Sequence, residues 1–317
     1  MPRLRIGFTT AAAAAVTTLP LLLGACGSAG SASPARAPET TASTQAQSST
    51  PSTATTQPPS QAAKQATEKD FNRNNFDRST NIDNQWFPLK PGKQLVYDGE
   101  TKADGKRVRH RVVFTVTDLT KVVDGVRNVV VWDRDYTEGR LVEAELAFFA
   151  QDNDGNVWHL GQYPEEYEEG KLAAAPAWIA GREGAKPGIA MRADPRVRTS
   201  GYSQGFGPKV NWTDRARVSK TGQKTCVPAG CYEGVLVTDE NTRDEPDAHQ
   251  LKYYARGVGN VRVGWAGRDE EQETLVLVKV VQLSPAALAE VRRDALKLEQ
   301  RAYAISKNVY GHTPPAE

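Results

Sequence analysis

Six acidic–glycine pairs punctuate the sequence between residues 98 and 170: Asp98-Gly99, Asp104-Gly105, Asp124-Gly125, Glu138-Gly139, Asp154-Gly155 and Glu169-Gly170. The favoured two-residue hairpin turn needs positive φ at its central positions, which glycine adopts freely and a short acidic residue tolerates. The runs between these pairs are rich in β-branched and aromatic residues, so little besides a series of antiparallel hairpins fits this part of the chain. In 107–116, Val108, Val112, Phe114 and Val116 fall on one side of a strand, and Arg107, Arg109 and Arg111 on the other. Strands over 126–136, 141–150 and 156–163 continue the meander. An irregular stretch over 165–199, with a turn at Ala185-Lys186-Pro187-Gly188, interrupts it, and strands resume at 210–220, 234–239, 250–255, 261–265 and 273–283.

After these strands the period changes. Ser284-Pro285 supplies an N-cap and a first-turn proline, and Leu288, Val291, Ala295, Leu298, Ala302 and Ile305 follow at three-to-four spacing. The reading is a mainly β domain over 71–283, an antiparallel meander forming an open barrel or strongly curved sheet. A C-terminal amphipathic α-helix over 284–306 packs on it, and 307–317 form a tail. Ahead of the first strand, Trp86-Phe87-Pro88-Leu89-Lys90-Pro91-Gly92 reads as a prolyl turn carrying an apolar plug.

The N-terminus fixes an address. Arg3 and Arg5 precede an apolar, alanine-rich run from Ile6 to Leu23, and Leu23-Gly24-Ala25-Cys26 fits a bacterial lipoprotein signal. Residues 1–25 are thus read as a cleaved signal peptide and Cys26 as the lipidated (palmitate-bearing) N-terminus, anchored to the outer face of the cytoplasmic membrane. Residues 27–67 contain no aromatic residue and no Val, Ile, Leu or Met. Such a stretch cannot bury a core, so 26–70 is read as a lipidated cysteine and disordered linker, spanning about 35 Å as a random coil. Cys226 and Cys231 remain as an even pair in an oxidising compartment and are expected to form a hairpin disulfide. A formal charge of +2 over 317 residues gives no footprint for a nucleic-acid partner.

Candidate chemistry is sparse. Gly201-Tyr202-Ser203-Gln204-Gly205 spells the G-x-S-x-G of a hydrolase elbow, and Asp239 or Asp247 with His249 satisfies the chain order. The apolar strand before the serine and the helix after it are missing. Asp152-Asn153-Asp154-Gly155-Asn156 has its glycine too early for a calcium loop and reads as a turn. Glu143 and Glu145 share one strand face, where surface ion pairing, with the arginine stripe as a source of partners, outweighs acid–base work. The stripe itself is a candidate contact for anionic head groups or wall polymers. His110, His159 and His312 have no partner at metal or triad spacing. No metal, cofactor or catalytic residue is assigned.

Several motifs recur together: Ile82-Asp83-Asn84 with Phe87–Gly92, Ala150-Gln151-Asp152 with Asp154–Trp158, Gly184–Ile189 with Met191, and Lys252–Ala255 with Gly257-Val258-Gly259. In this combination the chain resembles a family of bacterial exported proteins and lipoproteins with no assigned activity. The family pattern implies an acidic residue where this chain has Ala147, glutamate where it has Gln162 and proline where it has Arg256. A site built on those carboxylates is therefore not expected here. The functional expectation is a non-enzymatic binding module for an apolar or cell-envelope ligand, with Trp132, Phe148, Trp158 and Trp178 on the concave face as contacts. The alternatives are a serine hydrolase using Ser203 and a structural or assembly partner of the envelope.

Overall fold

The computed structural model describes residues 65–317. The signal peptide, Cys26 and the linker to residue 64 lie outside the described residues. Residues 65–70, assigned above to the linker, are tied to the domain: Arg192 donates from Nε to Ala66 O at 2.9 Å, and Ser203 N donates to the Glu68 carboxylate at 3.3 Å.

Fifteen strands form one antiparallel system among the described residues. The first half comprises β1 (Lys93–Ala103), β2 (Lys106–Val123), β3 (Val126–Thr137), β4 (Arg140–Gln151), β5 (Val157–Glu168), β6 (Lys171–Ala174), β7 (Trp178–Ile179) and β8 (Lys186–Met191). Two short strands, β9 (Tyr202–Ser203) and β10 (Gly205–Phe206), follow. Then come β11 (Arg215–Val227), β12 (Gly230–Asn241), β13 (Ala248–Ala255), β14 (Gly259–Gly267) and β15 (Thr274–Gln282). The order across the sheet is β10-β8-β5-β4-β3-β2-β1-β15-β14-β13-β12-β11-β9, with β6 and β7 on β5. It is a meander of hairpins that is not closed into a barrel.

The turn grammar holds at four pairs. Asp104-Gly105, Asp124-Gly125, Glu138-Gly139 and Glu169-Gly170 all have positive φ at both positions and join neighbouring strands. It fails at Asp98-Gly99, which lies inside β1. A Cβ on Gly99 would stand 1.8 Å from Thr274 O, so this glycine serves the close approach of β15 to β1 instead of a turn. Ala185–Gly188 is likewise no turn: Lys186–Met191 is β8, and Gly188 is pressed against the backbone of Ser203–Gly205.

The curl of the sheet follows from what packs together. Val116, Val131 and Phe149, from β2 to β4, share one buried cluster with Val218, Leu236 and Tyr254, from β11 to β13. These strands are far apart in the ladder, so the inner face bends until it meets itself. The two ends of the order also converge, because β9 pairs with β11 while β10, one residue later, pairs with β8. The plug caps the inner face. Asn84 Oδ1 accepts from the N–H groups of Trp86 and Phe87, and Gln151 Oε1 accepts from Asp83 and Asn84. This sets the Phe87 ring 5.5 Å from Phe149 and 6.3 Å from Tyr254, bridging the two halves. Arg256 lies 4.1 Å over the Trp86 ring.

The helix α1 (Pro285–Ile305) starts as expected, with Ser284 Oγ accepting from Ala287 N. It covers the opposite face of the first half, where Val291, Ala295, Leu298 and Ala302 pack on Trp132, Leu146, Phe148 and Tyr163. Each large apolar side chain buried there contributes about 1.5–3 kcal/mol. Polar anchors fix its position. Lys121 Nζ, fully buried, donates to Glu299 at 2.7 Å and to Pro314 O at 2.6 Å, and Arg301 donates to Glu165 at 2.8 Å. Cys226 and Cys231 are bonded at the tip of the β11–β12 hairpin.

Candidate functional site

Alternation assigns every residue of β3 and β4 to one of two faces, and both faces are covered. Trp132, Leu146 and Phe148 point under the helix, while Val131, Asp133 and Asp135 of β3 and Glu143, Glu145, Ala147 and Phe149 of β4 point inward. Register pairs Asp133 with Glu145 and Asp135 with Glu143, which stacks four carboxyl groups on adjacent strands. All four are buried. Glu143 and Glu145 are thus not surface ion-pairing residues. Their expected arginine partners lie on the outer face and are already matched: Arg111 donates to Asp98 at 2.6 Å, Arg109 to Glu138 at 3.2 Å, and Arg107 stands 3.6 Å from Glu100. That stripe borders an open cleft of about 750 Å³ but carries no uncompensated positive charge.

The second half of the sheet brings further charge to the inner face. Lys252 of β13 is buried and pairs with Glu240 of β12 at 2.9 Å. Gln250 donates to Glu273 at 2.7 Å, and Gln162 of β5 donates to Glu145 at 2.6 Å. His110 of β2 places Nε2 3.1 Å from Glu273 and 3.8 Å from Asp135. The groups act on one another across the interior, since Lys252 and Glu273 bear on Asp133, and Lys252 and Asp214 on Glu145.

Burial, reinforced by like charge, dominates the electrostatics. Desolvation pushes the Asp133 carboxyl up to about 7, with Glu273 adding to the rise and Arg134 and Lys252 opposing it. Asp135 is driven well above the carboxylate range by burial and then by Asp133, Glu143, Glu273 and Glu145. Glu145 rises well above it for the same reasons, Glu143 leading among its neighbours. Within this acidic half Asp133 Oδ2, Asp135 Oδ2, Gln162 Oε1 and Gln250 Oε1 have no hydrogen-bond partner in the protein.

A cavity of about 40 Å³ lies on the inner face beside Lys252. Phe87, Leu89, Leu95, Tyr97, Phe114 and Tyr254 form its apolar wall under the plug, and Gln204 and Lys252 stand at its polar side. The inner face therefore runs from an apolar end to an acidic one. Among the described residues no group of three His, Cys, Asp or Glu converges as a metal shell.

Three of the four aromatics expected on the concave face go elsewhere. Alternation sends Trp132 and Phe148 to the helix face, and Trp158 packs there against Phe71 at 5.2 Å. Trp178 does lie inward, but it is buried against Trp212 at 4.7 Å and His159 at 4.9 Å, outside the cavity wall. Burial holds the His159 imidazole down at about 3, so it is neutral. Ser203 sits in β9 with no helix after it, and its Oγ donates to Gly205 O at 2.7 Å. His249 does pair with Asp239, at 2.6 Å. However, β11 and β12 lie between β9 and β13, which puts Ser203 about 14 Å from His249 at the usual strand spacing. Asp152 uses its carboxylate on the Asn156 N–H and the Trp158 indole N–H, closing the turn read from the sequence.

Sequence reasoning noticed Glu143 and Glu145 but missed Asp133, Asp135, Lys252 and Glu273. The available signal was that acidic residues recur at alternate positions on consecutive strands. Ala147 and Gln162 are direct partners on the same inner face.

No family model matches the chain, and no curated protein matches it. Among solved structures it is similar to a protein from Bacteroides fragilis described as exported and as having a YmcC-like fold, at 16% identity and a TM-score of 0.37, over 62% of this chain and 98% of that one. It is also similar to a protein from Parabacteroides distasonis described as a lipoprotein, at 13% identity and a TM-score of 0.35, over 62% of this chain and 97% of that one.

Proposed function

We propose that this protein is a lipid-anchored extracytoplasmic binding module, not an enzyme, and that its ligand occupies the inner face of the curved sheet. The address rests on the signal ending at Cys26. The binding reading rests on one observation: the inner face carries buried, mutually repelling carboxyl groups and, on the same face, an apolar-walled cavity bordered by Lys252. A core built for stability alone gains nothing from such groups, because each costs desolvation that apolar side chains avoid. Buried ionisable clusters of this kind concentrate where a protein handles a ligand.

The direct test is native mass spectrometry of the mature protein purified from its own host in mild detergent. A co-purifying amphiphile of constant mass supports the reading, and a protein partner with an empty interior argues for an assembly role. The anchor is tested separately by metabolic labelling with radioactive palmitate. Label that attaches to wild type and not to Cys26→Ala supports it.

A further inference from the structure

The hairpin of β11 and β12 changes course along its length. β9 holds β11 at Arg215 and Ala216, and β13 holds β12 over 236–240, so residues 221–234 extend beyond both neighbours. There the register slips on each strand in turn. One residue is extra in β11 between Lys220 and Gln223, and one in β12 between Tyr232 and Val235. Gly222 and Gly234 fall in these two bulges, at φ of 67° and 65°, and a Cβ on either would meet nothing within 4 Å. Bulges bend a strand, and glycine takes the left-handed conformation there without strain. The bend carries the tip back over the inner face: Ala229 N donates to Leu277 O of β15 at 3.1 Å. In the sheet β13 and β14 lie between β12 and β15, a span of about 14 Å at the usual strand spacing.

The two sides of this tip differ. Val227, Ala229 and Tyr232, each half-buried, pack on a floor of Leu95, Tyr97, Val261, Val263 and Leu277 that contains no charge. Cys226, Cys231 and the Lys224–Glu233 ion pair face solvent. Three half-buried side chains and a backbone hydrogen bond are a light hold. Thr225 lies opposite Tyr232 and so shares its underside, where the buried Oγ1 has no partner. Lifting the tip returns that hydroxyl to water.

We infer that residues 221–234 form a flap hinged at Gly222 and Gly234, which lifts from the inner face and admits an uncharged apolar group to the floor where Val227, Ala229 and Tyr232 now rest. The inference rests on the binding-module reading and names how its ligand enters. The Cys226–Cys231 bond makes the tip one stiff piece, so the motion falls on the glycines. The floor selects against charge, because a charged head set on it loses water and gains no partner.

The experiment uses the full chain carrying Cys26→Ala, so that no lipid or detergent competes with the uncharged fluorescent probe N-phenyl-1-naphthylamine. By hydrogen exchange, residues 225–232 are expected to exchange at least about a hundredfold faster than the β13–β14 ladder, through local opening. Joining tip to floor with Ala229→Cys/Leu277→Cys should slow probe association at least about tenfold, whereas the uncrosslinked Ala229→Ser/Leu277→Ser should not. Tyr232→Ala, which removes the largest contact of the underside, should speed both exchange of 225–232 and probe association about tenfold. If the probe binds at a rate indifferent to the crosslink and to Tyr232→Ala, the flap falls and the binding module stands. Exchange of 225–232 as slow as that of the ladder also overturns the flap. A probe that binds neither wild type nor Tyr232→Ala overturns both.

Discussion

Asp133→Asn should make the protein more stable, and by an amount that depends on pH. The wild-type carboxyl is buried opposite Glu145, and burial raises it from an ordinary 3.8 to about 7. A raised carboxyl holds its proton in the folded state at a pH where the unfolded chain has lost it. Stability therefore falls as pH climbs from the unfolded value through the folded one. A rise of that size corresponds to about 4 kcal/mol, nearly all of it lost between pH 4 and pH 8. Asparagine is nearly isosteric, keeps the oxygen that accepts from the Arg134 N–H at 3.0 Å, and carries no charge at any pH. Its amide also supplies a donor among orphaned acceptors. The variant should match wild type near pH 4 and exceed it by up to about 4 kcal/mol at pH 8, roughly 10 °C in melting temperature for a domain of this size. Urea denaturation of both proteins at half-unit pH intervals measures the difference directly. Parallel curves, or a variant less stable than wild type at pH 8, would refute the claim that this interior pays a charge penalty.

The buried anchor under the helix should respond in the opposite sense. Lys121→Met strands the Glu299 carboxylate, which also accepts from Tyr310 and Ala316, and should cost about 3–5 kcal/mol in urea titration, with Lys121→Met/Glu299→Leu recovering most of it. Gly99→Val places side-chain atoms in the Thr274 backbone and should break the β1–β15 pairing, seen as rapid proteolysis near residue 99, whereas Gly105→Val, at an open turn, leaves the pattern unchanged apart from modest strain. Replacing Cys226 and Cys231 together by serine should cost about 2 kcal/mol, because the closed loop is short, and should leave the circular dichroism spectrum intact. Ser203→Ala should leave ligand binding and thermal stability within about 0.5 kcal/mol of wild type; loss of an ester-cleaving activity in that variant would revive the hydrolase reading.

The local grammar was legible from sequence because its causes are local. A pair such as Asp124-Gly125 permits positive φ wherever it stands, alternation in 107–116 separates the three arginines from Val108, Val112 and Val116 without outside help, and Ser284-Pro285 caps and starts a helix within its own turn. The spacing of Cys226 and Cys231 likewise needs only one hairpin. The inner face of the sheet was not legible. Asp133, Asp135, Glu143 and Glu145 alternate with Trp132, Arg134, Ala144 and Leu146, the pattern of a strand with one wet side, and burial of that side depends on strands far away in the sequence, those of Val218, Leu236 and Tyr254. Face assignment is a property of one strand, but the closing of a curved sheet over that face belongs to all of them. Only the packing of β11–β13 against β2–β4 turned a polar surface into an interior, and the helix on the other side sent Trp132, Phe148 and Trp158 to a core instead of a ligand.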